Sequence, residues 1–137
     1  MQDTNSPAVA SGTNDSYTLH HRVLKFRAWD GENFYYVDLN SCNGFEFYTP
    51  QYLEVFWRLP KTQFTGLVDK NRYYIYEGDI VKITDPLTDC STLKTVYFDD
   101  GCFVVKIDDD YTPCLCEFID REVIGNIFEN PEILERV

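Results

Sequence analysis

The stretch from Gln63 to Ile83, QFTGLVDKNRYYIYEGDIVKI, constrains the fold more than any other part of the chain. Two β-prone runs meet there across turn residues, and a second turn delivers Gly78-Asp79 straight into a new strand. Thr65-Gly66 and Asp69-Lys70-Asn71 are turn chemistry. Gly66 and Asn71 tolerate positive φ, and the Asp69 carboxylate accepts hydrogen bonds from the backbone that follows it. Tyr73 to Tyr76 is then a short strand, with Tyr73 and Ile75 on one face and Tyr74 and Tyr76 on the other. Glu77-Gly78-Asp79 closes it, and Ile80 to Ile83 continues with the period of a half-buried strand. A strand, a tight turn and a strand opening on Gly-Asp suit a small SH3-like barrel.

The chain before this stretch has two parts. Residues 1–21 are polar, small and without periodicity, which predicts a disordered tail. His20-His21 ends it, and adjacent imidazoles with no carboxylate or thiol at ligand spacing belong to solvated tail rather than to a metal site. Residues 22–137 form one β-rich domain. Leu24, Phe26 and Ala28 alternate with Lys25 and Arg27, Asp30-Gly31 is a hairpin turn, and Asn33 to Leu39 returns as a second strand. Lys25 and Arg27 then occupy the wet side of the first strand. Tyr52 to Leu59 reads as a strand too, because Val, Phe, Trp and Tyr outweigh the capping cue of Thr49-Pro50.

Beyond Ile83 the pattern predicts a meander. Its strands run from Leu93 to Phe98, Cys102 to Ile107 and Tyr111 to Ile119, with acidic corners at Asp99-Asp100 and Asp108 to Asp110. Glu122 to Phe128 is a last strand with a bulge or bend at Gly125, and Asn130-Pro131-Glu132 starts a short helix. The fold class is mainly β, an N-terminal hairpin region followed by an SH3-like barrel or meander and a short C-terminal helix.

Charge and thiols narrow the chemistry. Net charge is −11, and residues 60–137 hold sixteen acidic against eight basic groups. Such a surface repels phosphates, so no nucleic-acid partner is expected. The five cysteines, Cys42, Cys90, Cys102, Cys114 and Cys116, have no C-x-x-C spacing. With neither a signal peptide nor an apolar span at hand, they predict free, mostly buried thiols in a reducing cytoplasm, no zinc and no membrane contact. Both histidines lie in the tail, so a serine or cysteine nucleophile would lack a placed base. Neither a catalytic residue, a cofactor nor a metal is assigned. Glu77 and Asp79 lie two apart and could be cast as an acid-base pair, but Asp79 is explained by bonding its own turn.

QFTGLVDKN, IYEGDIV and EVIGNIFENPEIL resemble the recurring signature of the YopX family of phage and prophage proteins, and KFRAWDGENFYY is similar to that family's N-terminal hairpin. The resemblance spans about Leu24 to Leu134. Where the family usually carries Asn-Gly, this chain has Asn71-Arg72, and arginine bears a penalty at positive φ that glycine does not. The resemblance implies a small β-rich phage-derived protein of a bacterial cytoplasm and brings no established activity with it.

Two function classes remain. The preferred one is an accessory protein that binds itself or an unknown host or phage protein through Asp99, Asp100, Asp108, Asp109 and Asp110. In it Gly66, Asp69, Asn71, Gly78, Asp79 and Gly125 serve as structural turn residues. The alternative is an enzyme whose carboxylates, Glu77 and Asp79 or Asp108 to Asp110, act with a divalent metal on a small substrate.

Overall fold

The structure, a computed structural model, describes residues 22–39 and 48–136. The tail, His20-His21 and Cys42 lie outside them. The fold is mainly β. Strands β1 (Lys25–Trp29) and β2 (Phe34–Asp38) form the N-terminal hairpin, with Arg27 opposite Tyr36 and Trp29 opposite Phe34. The Asp30 carboxylate accepts the N–H groups of Glu32 and Asn33, each at 2.7 Å, and these bonds hold its pKa below the usual value.

The segment expected as a strand from Tyr52 to Leu59 is instead a helix, α1 (Pro50–Arg58). Thr49 Oγ1 caps it by accepting the Tyr52 N–H at 3.1 Å, and Pro50 stands in its first turn. Tyr52, Leu53, Phe56 and Leu59 recur at helical spacing and pack on Ala28 and Val37, so packing and cap together override β propensity. Lys61 Nζ bonds the carbonyls of Trp57 and Leu59 at the helix end, and that of Phe56, which also accepts the Leu59 N–H.

The first sheet is completed by β3 (Lys61–Val68) and β4 (Tyr74–Tyr76), in the order β2-β1-β3-β4. Tyrosine hydroxyls stand in for a neighbouring strand along β2. Tyr52 Oη accepts the Tyr36 N–H at 2.6 Å and donates to the Tyr36 carbonyl at 3.0 Å, while Tyr48 Oη accepts the Asp38 N–H at 2.8 Å.

The second sheet joins β5 (Asp79–Thr84), β6 (Ser91–Thr95) and β9 (Arg121–Asn126) in the order β6-β5-β9, beside a hairpin of β7 (Tyr97–Asp99) and β8 (Cys102–Val104). The expected meander is more broken than its pattern suggested. Val96 splits the Leu93 to Phe98 run because its N–H donates to the Asp79 carbonyl and its own carbonyl accepts the Gly78 N–H. No strand spans Tyr111 to Ile119: isolated bridges join Val104 to Cys114 and Asp108 to Tyr111, and Leu115–Glu117 is a 3₁₀ turn. Pro113 lies in that run without an N–H to give to a ladder. The sheets are open rather than closed on themselves. Ile75, Val81, Ile83, Val96, Val105, Leu115 and Phe118 make the main core. In β9 the pairing steps from Gly125 to Val123 against consecutive residues of β5, leaving Ile124 as the bulge.

Candidate functional site

The first sheet is tied to the second by a buried charge pair. Arg27, assigned from sequence to a wet face, is 5 % exposed. Its Nη2 lies 2.7 Å from Asp79 Oδ1, and its guanidinium sits 4.4 Å from the Phe34 ring centroid and 4.6 Å from that of Tyr76. Aromatic residues of β2 and β4, with Phe128 beyond β9, cover what alternation alone marked as solvent side. Lys25 is half-buried, paired with Asp38 at 3.0 Å. A row of aromatics two residues apart on β2, together with the aromatic β4, was the available signal for a second covered face.

Asp79 also receives the Tyr76 N–H on Oδ2 at 2.8 Å, so both carboxylate oxygens are engaged. Burial pushes its pKa up, against the pull of Arg27 and the Tyr76 N–H. Glu77, its supposed acid-base partner, accepts the Gln63 N–H through Oε1 at 3.2 Å. The two carboxylates therefore hold two different strand connections. Gly78 between them has φ +91°, and a Cβ there would stand 3.0 Å from Phe128 Cε2.

Asp69 is the second buried junction. Its Oδ1 accepts the N–H groups of Asn71 and Tyr73, each at 2.8 Å, and its Oδ2 accepts the Val123 N–H of β9 at 2.9 Å. Asn71 is exposed and Arg72 takes φ +72° in the same turn. Gly66, at φ +88°, faces open space. Gly125 is pressed from the other side: a Cβ would lie 2.6 Å from Asn130 Oδ1.

The acidic corners are exposed at all five positions, Asp99, Asp100, Asp108, Asp109 and Asp110. Asp108 Oδ1 accepts the Asp110 N–H at 2.8 Å, and Lys106 pairs with Asp109 at 3.2 Å. The strand between the corners is three residues long, not six. The Asp108–Asp110 turn joins Ile107 to Tyr111, and both of these line a cleft of about 540 Å³ at the 85–90 loop. Asp99 and Asp100 do not line it.

The thiols differ from the expected buried set, since Cys90 and Cys116 are exposed and Cys102 and Cys114 half-buried. Cys114 is pushed up to about 11, first by its hydrogen bond to the Cys102 thiol and then by burial. Among the described residues no group of three His, Cys, Asp or Glu side chains is placed to hold a metal ion. Among the same residues no helix is long and apolar enough to cross a membrane.

These junctions fall inside the blocks that resemble a known signature, and comparison with known proteins agrees. The model of the YopX protein family matches residues 25–135. The SPbeta prophage-derived uncharacterized protein YopX of Bacillus subtilis (strain 168) is 33 % identical, over 82 % of this chain and 96 % of its own. Among solved structures, protein EF1440 from Enterococcus faecalis superposes with a TM-score of 0.55 at 24 % identity, covering 83 % of this chain and 99 % of that one. The crystal structure of Bacillus subtilis yopX gives 0.50 at 24 % identity, covering 79 % and 95 %. The chain belongs to the YopX protein family.

Proposed function

We propose that this chain is a phage- or prophage-derived accessory protein that acts in the bacterial cytoplasm by binding another protein. The observation that carries this reading is the cleft at the 85–90 loop, which Leu87, 93 % exposed, lines together with Ile83, Ile107 and Phe118. A large apolar side chain held in water beside a concave apolar floor gains on being covered. Ile119, 90 % exposed, and Tyr111, 50 % exposed, extend the apolar surface of the same half of the chain.

Self-association is a second reading with its own support. Tyr73 and Tyr74 are exposed on and beside the outer strand β4, and Trp57 is exposed on α1. Tyr76, on the same strand, is buried and does not contribute.

Capture from prophage-bearing bacteria with the full chain as bait, run in parallel with Leu87→Ser, tests the first reading. A protein enriched by the parent and lost with the variant supports it; the same set of proteins with both baits rejects it. Light scattering over a range of concentrations tests the second, for which a constant monomer mass is the rejecting result.

A further inference from the structure

The partner's chemistry follows from what surrounds the cleft, and this step rests on the protein-binding reading. We propose that the cleft docks a segment of a partner protein that inserts one large apolar side chain beside Leu87. Flanking lysines or arginines of that segment pair with Asp85, Glu117 and the Asp108–Asp110 turn.

The volume, about 540 Å³, falls in the range of pockets that bury a ligand-sized group. Its apolar lining comes from Ile83 and Phe118, which are buried, Ile107, which is half-buried, and Leu87 and Tyr111, which are exposed. Leu87 is not exposed through slackness. The Asp85 N–H donates to the Cys90 carbonyl and the Asp89 N–H to the Asp85 carbonyl. Asp85 Oδ1 accepts the Leu87 N–H and Thr88 Oγ1 the Cys90 N–H. These bonds hold the loop backbone around Leu87, so little backbone ordering entropy opposes docking.

Charge selects the occupant. Asp85 and Glu117 line the cleft, no lysine or arginine does, and the three-aspartate turn connects two of its walls. Lys106 lies next along the chain, but its pair with Asp109 is exposed at both ends and offsets little. An acidic segment is repelled at this rim, and a neutral one covers carboxylates without compensating them. A cationic segment gains attraction during approach and a fixed register once docked.

The test uses the full chain and a labelled synthetic peptide carrying one leucine among lysines, read by fluorescence anisotropy. One companion peptide has the leucine replaced by serine, another the lysines replaced by glutamine. Leu87→Ser should weaken binding about tenfold, as should the serine peptide, because each forfeits burial of one apolar side chain. Combined Asp109→Asn, Asp110→Asn and Glu117→Gln should weaken binding and flatten its salt dependence. Tyr73→Ser, in the turn before β4 of the first sheet, should change nothing.

Equal binding of the serine peptide, or indifference to Leu87→Ser, overturns the proposal, since the attraction is then only that of an acidic chain for any cation. Equal binding of the glutamine peptide also overturns it. If peptide binding fails while a captured partner still depends on Leu87, the partner chemistry is wrong and the protein-binding function stands. If both fail, the functional reading falls as well.

Discussion

Arg27 and Asp79 lie 52 residues apart in the chain and meet at 2.7 Å, with side chains 6 % and 4 % exposed. The pair fastens the hairpin strand β1 to the first residue of β5, so each sheet is held by a charge the other supplies. Removing one partner strands the other in a desolvated place. Arg27→Met should cost about 3–5 kcal/mol, while Arg27→Met combined with Asp79→Asn should cost less than the two single changes added. Urea denaturation of the four proteins checks this, and simple additivity would show the two groups to be uncoupled.

Tyr76 supplies the clearest pH dependence. Burial, with Tyr36 beside it, pushes its phenol up to about 12, against the pull of Arg27. The folded protein then holds this proton more tightly than the unfolded chain, whose tyrosine titrates near 10. The resulting stability is complete below pH 10 and is lost as pH rises through 12. That loss amounts to about 2–3 kcal/mol for the full span. Tyr76→Phe should abolish this component, so its urea midpoint should fall less than the parent's between neutral pH and pH 12.

How far these junctions were legible depended on where their partners lie in the chain. Asp69 and Gly78-Asp79 act partly on their own turns, through Asn71, Tyr73 and Tyr76, and a turn writes itself in adjacent residues. The reach of Asp69 to Val123 and of Asp79 to Arg27 carries no local mark. Arg27 was misplaced for the same reason, because the rings that cover it come from β2, β4 and Phe128. The α1 error was different. Thr49-Pro50 and the spacing of Tyr52, Phe56 and Leu59 were visible, and strand propensity was given too much weight against them. The cleft was invisible, since its walls are drawn from 83–92, 107–111 and 117–118.

Two glycines should respond differently to a methyl group. Gly78→Ala meets positive φ and a ring carbon at 3.0 Å, which together should cost about 1–3 kcal/mol. Gly125→Ala displaces Asn130 Oδ1, which accepts the Asn126 N–H at 3.3 Å, and Ile133 Cδ1 at 2.9 Å. Its cost should be of the order of 1–2 kcal/mol, through the C-terminal turn that packs on β9. Amide exchange separates them: protection near Ile133 should fall in the second variant and stay unchanged in the first.

Arg72 takes φ +72°, in the left-handed region that favours glycine. Left-handed backbone costs a residue with a Cβ about 1–2 kcal/mol, and the flexibility glycine brings to the unfolded chain returns roughly half of that. Arg72→Gly should therefore stabilise the protein by about 0.5–1 kcal/mol, seen as a higher urea midpoint with an unchanged slope. A lower midpoint would mean that the arginine side chain holds this turn in a way its backbone angle conceals.

Asp69 joins the turn after β3 to β9 through three backbone N–H groups, and its residue is 4 % exposed. Asp69→Ala leaves those donors without their acceptor. The two in the turn, from Asn71 and Tyr73, can recover water more readily than that of Val123, which lies within the second sheet. The variant should lose about 2–4 kcal/mol, because hydrogen bonds to a charged group are the stronger kind and buried donors bear the cost of being left unmade. Asp69→Asn keeps one acceptor oxygen and should lose less, with the deficit falling on one side of the junction. Amide exchange decides which side: rapid exchange at Val123 with Asn71 and Tyr73 still protected would show that the amide oxygen serves the turn. Equal stability of parent and alanine variant would show that the link between the turn and β9 contributes nothing to the fold.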